Sequence, residues 1–180
     1  MGSLIFSNSL QLVHVAARIF TLLLMALALS SCINKPQPQK ILKLHLQAEN
    51  ILNTDINGRP SPVAITIYQL VNTSDFRKAD YMSLTENPTQ TLGKNLVSIH
   101  RTSIHPGQKL ILEYPITKDE SAFGVVVGYR IINESLWQLI YEYPRNTDSF
   151  WSRFGGQDVS SHSIQLDKNN IQFLYSSTER

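Results

Sequence analysis

Residues 41–48 read Ile-Leu-Lys-Leu-His-Leu-Gln-Ala, and apolar and polar side chains alternate along this stretch. Leu42, Leu44 and Leu46 fall on one face of an extended chain, whereas Lys43 and His45 fall on the other. This period of two predicts a β-strand with one buried face. Such a face needs a second layer of structure to cover it.

Further strands are expected downstream, because short apolar segments alternate with turn residues through the rest of the chain. About eight strands of this kind predict a mainly β protein with a two-layer β-sandwich. The strands are expected at residues 41–48, 63–70, 95–103, 109–114, 122–132, 136–141, 162–166 and 171–175. The segment 122–132 is the most apolar and is expected in the middle of a sheet, with one face made of Phe123, Val125, Val127, Tyr129 and Ile131.

The period changes between residues 74 and 93, which predicts a short helical insertion between two strands. Ser74 is expected to cap the first helix, and Asn87-Pro88 to begin a second one that Gly93 ends. The apolar side of the insertion is expected to consist of Phe76, Ala79, Tyr81, Met82 and Leu84.

Composition places the chain among globular proteins, since 42% of its residues are hydrophobic and 17% are charged. The formal net charge is +2, and lysine and arginine form no cluster downstream of residue 31. Nucleic-acid binding is therefore not expected.

The N-terminal region has the features of a signal peptide. Arg18 precedes an apolar run at residues 19–29, which is too short to span a bilayer. Leu29-Ser30-Ser31-Cys32 resembles the bacterial lipobox, and this resemblance implies cleavage before Cys32 and a covalent lipid, including palmitate, on that cysteine. The alternative is an ordinary cleaved signal next to an unmodified cysteine.

The predicted organisation is a signal peptide at 1–31, a lipidated tether at 32–40 and a sandwich domain at 41–180. The tether is polar and contains prolines, as suits an extended linker. Ile33 is not the aspartate that retains some lipoproteins in the inner membrane, which favours the outer membrane.

No catalytic or metal-binding motif is present in the sequence. Its one cysteine allows neither an internal disulfide nor a cysteine-based zinc site. The histidines downstream of the signal, at positions 45, 100, 105 and 162, lack the spacing of a zinc protease, and His45 and His100 are expected on outward faces of strands. We therefore expect no enzymatic activity, no metal, no cofactor and no small-molecule substrate.

Two irregular segments are candidates for binding. Residues 50–62 contain Arg59 and two prolines, which stiffen an exposed loop and reduce the entropy lost on docking. Residues 143–156 contain Phe150, Trp151 and Phe154, which suit either a binding hot spot or a cover over an open end of the sandwich.

The segment 55–70, Asp-Ile-Asn-Gly-Arg-Pro-Ser-Pro leading into Val-Ala-Ile-Thr-Ile-Tyr-Gln-Leu, resembles the TssJ (SciN) family of type VI secretion lipoproteins. The similarity continues through Phe76 and through residues 79–81, 91–93, 106–107 and 124–130, up to about Tyr141. The segment 143–161 departs from the family pattern. The resemblance implies a transthyretin-like β-sandwich that is not an enzyme and lies on the periplasmic face of the outer membrane.

The resemblance also implies a partner, the periplasmic C-terminal domain of TssM, with TssL in the same complex. The loop between the first two strands is the family's main contact with TssM. Here it implies these contact residues: Asn53, Thr54, Asp55, Ile56, Asn57, Gly58, Arg59, Pro60 and Ser61. The alternative function is that of a periplasmic transthyretin-like carrier or chaperone, for which an apolar cavity between the sheets would be evidence.

Overall fold

The computed structural model describes residues 40–144 and 159–174, together with Arg18. The chain divides into two compact units, Met1–Gln37 and Pro38–Arg180, and the fold below is that of the second. Among the described residues, no helix has the length and apolarity that a membrane span requires. Cys32, the tether up to residue 39 and the aromatic residues of 145–158 lie outside the described residues.

In the described part of the chain, eight strands form two sheets of four. In chain order they are β1 (Lys40–Ala48), β2 (Val63–Leu70), β3 (Leu96–Ile104), β4 (Lys109–Ile116), β5 (Ala122–Val127), β6 (Gln138–Glu142), β7 (Val159–Leu166) and β8 (Ile171–Phe173). One sheet has the order β4-β1-β7-β8 and the other β3-β2-β5-β6. Neighbouring strands are antiparallel except β1 and β7, which are parallel. The predicted sandwich is confirmed.

The main core lies between the two sheets and follows the period of two. Leu42 and Leu44 of β1 are fully buried there, facing Val125 of β5 in the same core. As predicted, β5 lies inside its sheet. The prediction for Ile131 was wrong, because β5 ends at Val127 and the Tyr129 amide then donates to the Val127 carbonyl at 3.0 Å. This turn takes the chain out of the sheet and leaves Ile131 exposed.

The helical insertion consists of α1 (Ser74–Lys78), α2 (Tyr81–Glu86) and α3 (Pro88–Leu92). It covers the outer face of the β3-β2-β5-β6 sheet through a second core cluster, formed by Tyr68, Leu70, Phe76, Leu84, Leu92, Ala122 and Val126. The ring of Phe76 lies against Gly124, where a Cβ atom would be only 2.3 Å from Phe76 Cζ. A side chain at Gly124 would therefore push the insertion away from the sheet.

Details of the insertion differ from the sequence predictions. Ser74 is the first residue of α1 and not its cap, whereas α2 is capped by Asp80, whose side chain accepts a hydrogen bond from the Ser83 amide at 2.9 Å. Met82 is exposed and not part of the packed side, because three helices of five or six residues do not share one continuous apolar face. Gly93 ends α3 with a positive φ of 49°, as predicted.

The strand directions give the domain two distinct ends. One end, here called the loop pole, carries the β1–β2, β3–β4, β5–β6 and β7–β8 connections. The other, the tether pole, carries the start of β1 at Lys40, the insertion and the β4–β5 connection. The nine residues of β1 run from one pole to the other, a distance of roughly 25 Å.

Candidate functional site

Contacts at both ends of the β1–β2 loop fix its base to the sandwich. Leu52 is fully buried in the core between the sheets. The Ser61 amide donates to the Leu52 carbonyl at 3.1 Å, and the Ser61 hydroxyl donates to the Asn53 carbonyl at 2.8 Å. The two sides of the loop are therefore tied together before it projects from the sandwich.

Asn53 connects this base to two neighbouring connections of the loop pole. Its side-chain oxygen accepts a hydrogen bond from the Arg130 backbone amide at 2.8 Å, and its backbone amide donates to the Lys168 carbonyl at 2.9 Å. Its side-chain nitrogen donates to the Pro62 carbonyl at 3.2 Å. Asn53 has a φ of 48°, a conformation that asparagine tolerates better than most residues. It is buried, so its role is to position the loop.

The tip of the loop is a closed turn between Asp55 and Arg59. The Gly58 amide donates to the Asp55 carbonyl at 2.9 Å, and the Asp55 amide donates to the Arg59 carbonyl at 3.0 Å. A β-turn followed by a left-handed glycine is common in tight hairpin connections, and Gly58 has a φ of 76°. The Asp55 carboxylate accepts from the Asn57 and Arg59 amides, both at 2.9 Å.

The charges at the tip compensate each other. Asp55 Oδ2 lies 2.8 Å from both Nε and Nη2 of Arg59. The Arg59 backbone amide and guanidinium, with the Asn57 amide, hold the pKa of Asp55 below its usual range. Asp55 is thus ionised near neutral pH and restrains Arg59, so the turn keeps one shape before any partner arrives.

Ile56 is the most exposed of the large hydrophobic side chains among the described residues, with 96% of its surface accessible. It stands at the apex of the closed turn, beside the exposed residues Asn57 and Gly58. An isolated exposed isoleucine is common on protein surfaces. One that a rigid turn holds outward has the properties of an anchor for a protein partner.

The nine predicted contact residues fall into two groups. Residues 54–60 are partly or fully exposed and form the projecting segment. Asn53 is buried and Ser61 is half-buried, and both hold the base. The predicted segment thus has a projecting tip and a supporting base.

An open cleft of about 430 Å³ lies next to the loop on the loop pole. Its walls come from the end of β1, the start of the β1–β2 loop, the β3–β4 turn and the first residue of β4, and they consist of Gln47, Ala48, Glu49, Asn50, Ile51, Gly107 and Lys109. The space between the sheets is instead filled with the side chains of the main core.

The prediction that His100 faces outward was wrong. His100 pairs across β2–β3 with Ile67, a residue of the main core, and cross-strand partners share a face. Its ring stacks on Tyr114 of β4, with ring centroids 4.0 Å apart, and burial lowers its pKa. His45 does alternate with buried leucines, as predicted. Over residues 40–144 and 159–174, no cluster of three or more His, Cys, Asp or Glu could hold a metal ion.

Glu120 is a buried carboxyl group near the tether pole that the sequence did not reveal. It accepts hydrogen bonds from the Tyr143 hydroxyl at 2.8 Å and from Gln69 Nε2 at 2.9 Å. Burial raises its pKa, and these hydrogen bonds partly oppose that effect. Both carboxylate oxygens accept hydrogen bonds inside the domain, so Glu120 links β2 to the segment that follows β6 and is not available to a ligand.

The β5–β6 connection also forms part of the loop pole, and this was not predicted from the sequence. Arg130 and Ile131 lie beside the loop base, and Leu136 follows a short 3₁₀ turn at Ile132–Glu134. Ile131 and Leu136 are both exposed. No local pattern identifies them, because their position depends on hydrogen bonds to residues far away in the chain.

Comparison with known proteins identifies related sequences and folds. The family described as "type VI secretion lipoprotein, VasD, EvfM, TssJ" matches residues 40–169, and this range includes the whole of the segment 143–161 that was expected to depart from the pattern. A comparison with curated protein sequences gave no significant match. Among solved structures, the type VI secretion lipoprotein TssJ1 from Pseudomonas aeruginosa is 25% identical, with a TM-score of 0.68 over 79% of this chain and 100% of that one.

Two further structures share the fold. Lip from Serratia marcescens, described as a membrane-bound component of the type VI secretion system, is 21% identical, with a TM-score of 0.71 over 77% of this chain and 99% of that one. A chain in the structure described as the type VI secretion protein TssM C-terminal domain, from EAEC, is also 21% identical. Its TM-score is 0.58 over 76% of this chain and 98% of that one.

Proposed function

This chain belongs to the TssJ family of type VI secretion lipoproteins, and we propose that it anchors a type VI secretion membrane complex to the outer membrane by binding the periplasmic C-terminal domain of TssM. The observation that carries the proposal is the separation of the two poles by β1. The strand begins next to the tether and ends in the projecting loop. A protein attached to a membrane at one pole can therefore offer the loop to a partner on the far side.

The first anchor in this proposal is the lipid on Cys32. Seven residues separate Cys32 from the start of β1 at Lys40, so the tether pole can lie no farther than roughly 30 Å from the lipidated residue. Several acyl chains together make dissociation from the membrane negligible. We place the protein on the periplasmic face of the outer membrane.

The second anchor is the tip of the β1–β2 loop, which docks on TssM within a complex that also contains TssL. Two features support this assignment: the turn from Asp55 to Arg59 is closed by its own hydrogen bonds, and Ile56 is presented at its apex. A segment that is already ordered loses little entropy on binding. One chain of similar fold belongs to a structure described by the TssM C-terminal domain. The proposed role requires no catalytic step.

The alternative role as a transthyretin-like carrier is less well supported. Such a carrier needs an apolar cavity that encloses its ligand. Here side chains of the main core occupy the space between the sheets, and the cleft described above is open and borders the loop. We therefore do not propose it.

The loop assignment is tested by replacing Ile56 with serine and measuring binding of the purified TssM periplasmic domain. The Asp55–Arg59 turn does not depend on the Ile56 side chain, so the fold is retained. The matched control is Ile111→Ser, which alters a similarly large exposed side chain on β4. We expect Ile56→Ser to weaken binding at least about tenfold and Ile111→Ser to leave it unchanged. Equal binding by Ile56→Ser and the wild type would rule out the tip as an anchor.

The lipid assignment is tested separately. The change Cys32→Ser is expected to move the protein from the membrane fraction to the soluble periplasmic fraction. Continued membrane association of the variant would contradict the proposed anchor.

A further inference from the structure

The β5–β6 connection lies directly against the base of the β1–β2 loop. The Arg130 amide donates to Asn53 Oδ1 at 2.8 Å, and Arg130 Nη2 donates to Ser61 Oγ at 3.2 Å. The next residue, Ile131, leaves half of its surface exposed, at 51%. An aliphatic side chain therefore stands next to the projecting loop, on a backbone that the loop base holds in place.

Leu136, at the other end of this connection, is held in the same way. Its amide donates to the Asn169 carbonyl at 3.1 Å, and its carbonyl accepts from the Ile171 amide at 3.0 Å. Its side chain is nevertheless 65% exposed. The backbone at Leu136 is tied to the β7–β8 connection, so the side chain is presented outward from an ordered position.

The charged groups of the loop pole balance in sign. This end of the domain carries four carboxylates and four cationic groups. The carboxylates are those of Glu49, Asp55, Glu134 and Asp167, and the cationic groups are those of Arg59, Lys109, Arg130 and Lys168. Asp55 is paired with Arg59, and Glu49 accepts a hydrogen bond from Gln165. A surface of this kind carries no net charge, so it does not attract a partner of one strong charge sign over long range. Its exposed aliphatic side chains are what distinguish it.

We propose that Ile131 and Leu136 form, together with Ile56, one composite docking surface whose occupant is a protein surface that is apolar and uncharged where it meets them. This inference rests on the proposed function, because the surface is continuous with the loop that we assign to TssM. It extends that function from one loop to a second connection. It also specifies the chemistry of the partner, which supplies pockets for branched aliphatic side chains.

The test measures the affinity of the full-length lipoprotein in detergent for the TssM periplasmic domain. The variants are Ile131→Ser, Leu136→Ser and Ile56→Ser, with Ile111→Ser as the matched control. We expect Ile131→Ser and Leu136→Ser each to weaken binding about tenfold, which corresponds to about 1.4 kcal/mol. We expect the wild-type affinity to change by less than about threefold between about 0.05 M and about 0.5 M salt, because screening acts on charges and not on apolar contacts.

The possible failures are distinguishable. If Ile56→Ser loses binding while Ile131→Ser and Leu136→Ser bind like the wild type, the composite surface is wrong and the proposed function stands. If all three bind like the wild type, the assignment of the loop tip fails as well, whereas a wild type that does not bind the TssM domain would overturn the proposed function itself. A strong loss of affinity for the TssM domain at high salt would overturn the proposal that the partner surface is uncharged. A concentration-dependent dimer that Ile131→Ser dissociates, with TssM binding unchanged, would assign the surface to a second copy of the chain.

Discussion

Replacement of Asn53 by alanine should destabilise the domain and uncouple the docking loop from the sandwich. The change removes two side-chain hydrogen bonds, one from the Arg130 amide and one to the Pro62 carbonyl. Because Asn53 is buried, a partner group that it leaves unsatisfied costs about 1–3 kcal/mol. Alanine at a φ of 48° adds about 1 kcal/mol of backbone strain. The expected loss is about 2–4 kcal/mol in the free energy of unfolding.

Two further variants separate these contributions. Asn53→Gly removes the hydrogen bonds but adopts the positive φ freely, so it should be about 1 kcal/mol more stable than Asn53→Ala. Asn53→Asp keeps an acceptor for the Arg130 amide but places a carboxylate oxygen against the Pro62 carbonyl, so it should recover only part of the stability that Asn53→Ala loses.

Urea unfolding of the purified protein carrying Cys32→Ser measures these differences, and binding of the TssM periplasmic domain gives an independent value for the loop. The binding loss of Asn53→Ala should exceed that of Asn53→Asp even where both proteins are fully folded. If Asn53→Ala were within about 0.5 kcal/mol of the wild type, or more stable than Asn53→Gly, Asn53 would not hold the loop as described.

Three further predictions concern other parts of the domain. Gly124→Ala should lower the free energy of unfolding by about 1–3 kcal/mol, measured with urea, because the new Cβ would meet the Phe76 ring. Adding Phe76→Leu should recover part of this loss. A Gly124→Ala variant as stable as the wild type would contradict the described packing. The pKa of Glu120 is raised in the folded state, so the wild type should lose stability relative to Glu120→Gln as the pH rises from 4.5 through the folded pKa. A constant difference in unfolding free energy between the two proteins from about pH 4 to about pH 8 would refute this. The pKa of Asp55 is lowered, so the stability that its ionised form contributes is present above its ordinary pKa of 3.8 and is lost as the pH falls through the folded pKa. The backbone amide shifts of Asn57 should follow this titration in NMR spectra, with a midpoint below 3.8, and a midpoint at or above that value would be inconsistent with the closed turn.

The sequence predicted those features that depend on local patterns. The alternation around Leu44 identified both the first strand and its buried face, which the structure confirms. The prolines and glycine of residues 50–62 correctly indicated an irregular connection. In each case the property is set by neighbours within a few residues, and the period of a strand makes it readable.

The features that the sequence did not predict depend on contacts between distant segments. Asn53 and Arg130 are 77 positions apart in the chain, and only the folded sandwich brings them into contact. His100 faces inward because its register pairs it with Ile67, although a histidine in a polar strand segment would be expected at the surface. Glu120 is buried for a similar reason, since its partner Gln69 is 51 positions away. Composition and spacing carry no information on such pairings.

The most direct test of the account places both anchors in one experiment. The acylated protein is incorporated into lipid vesicles, the soluble TssM periplasmic domain is added, and the amount of that domain that floats with the vesicles is measured. We predict that wild-type vesicles recruit the domain, and that vesicles with the same density of Ile56→Ser protein retain the lipoprotein and do not recruit it. Equal recruitment by both, or no recruitment by the wild type, would contradict the claim that one molecule holds a membrane at one pole and TssM at the other.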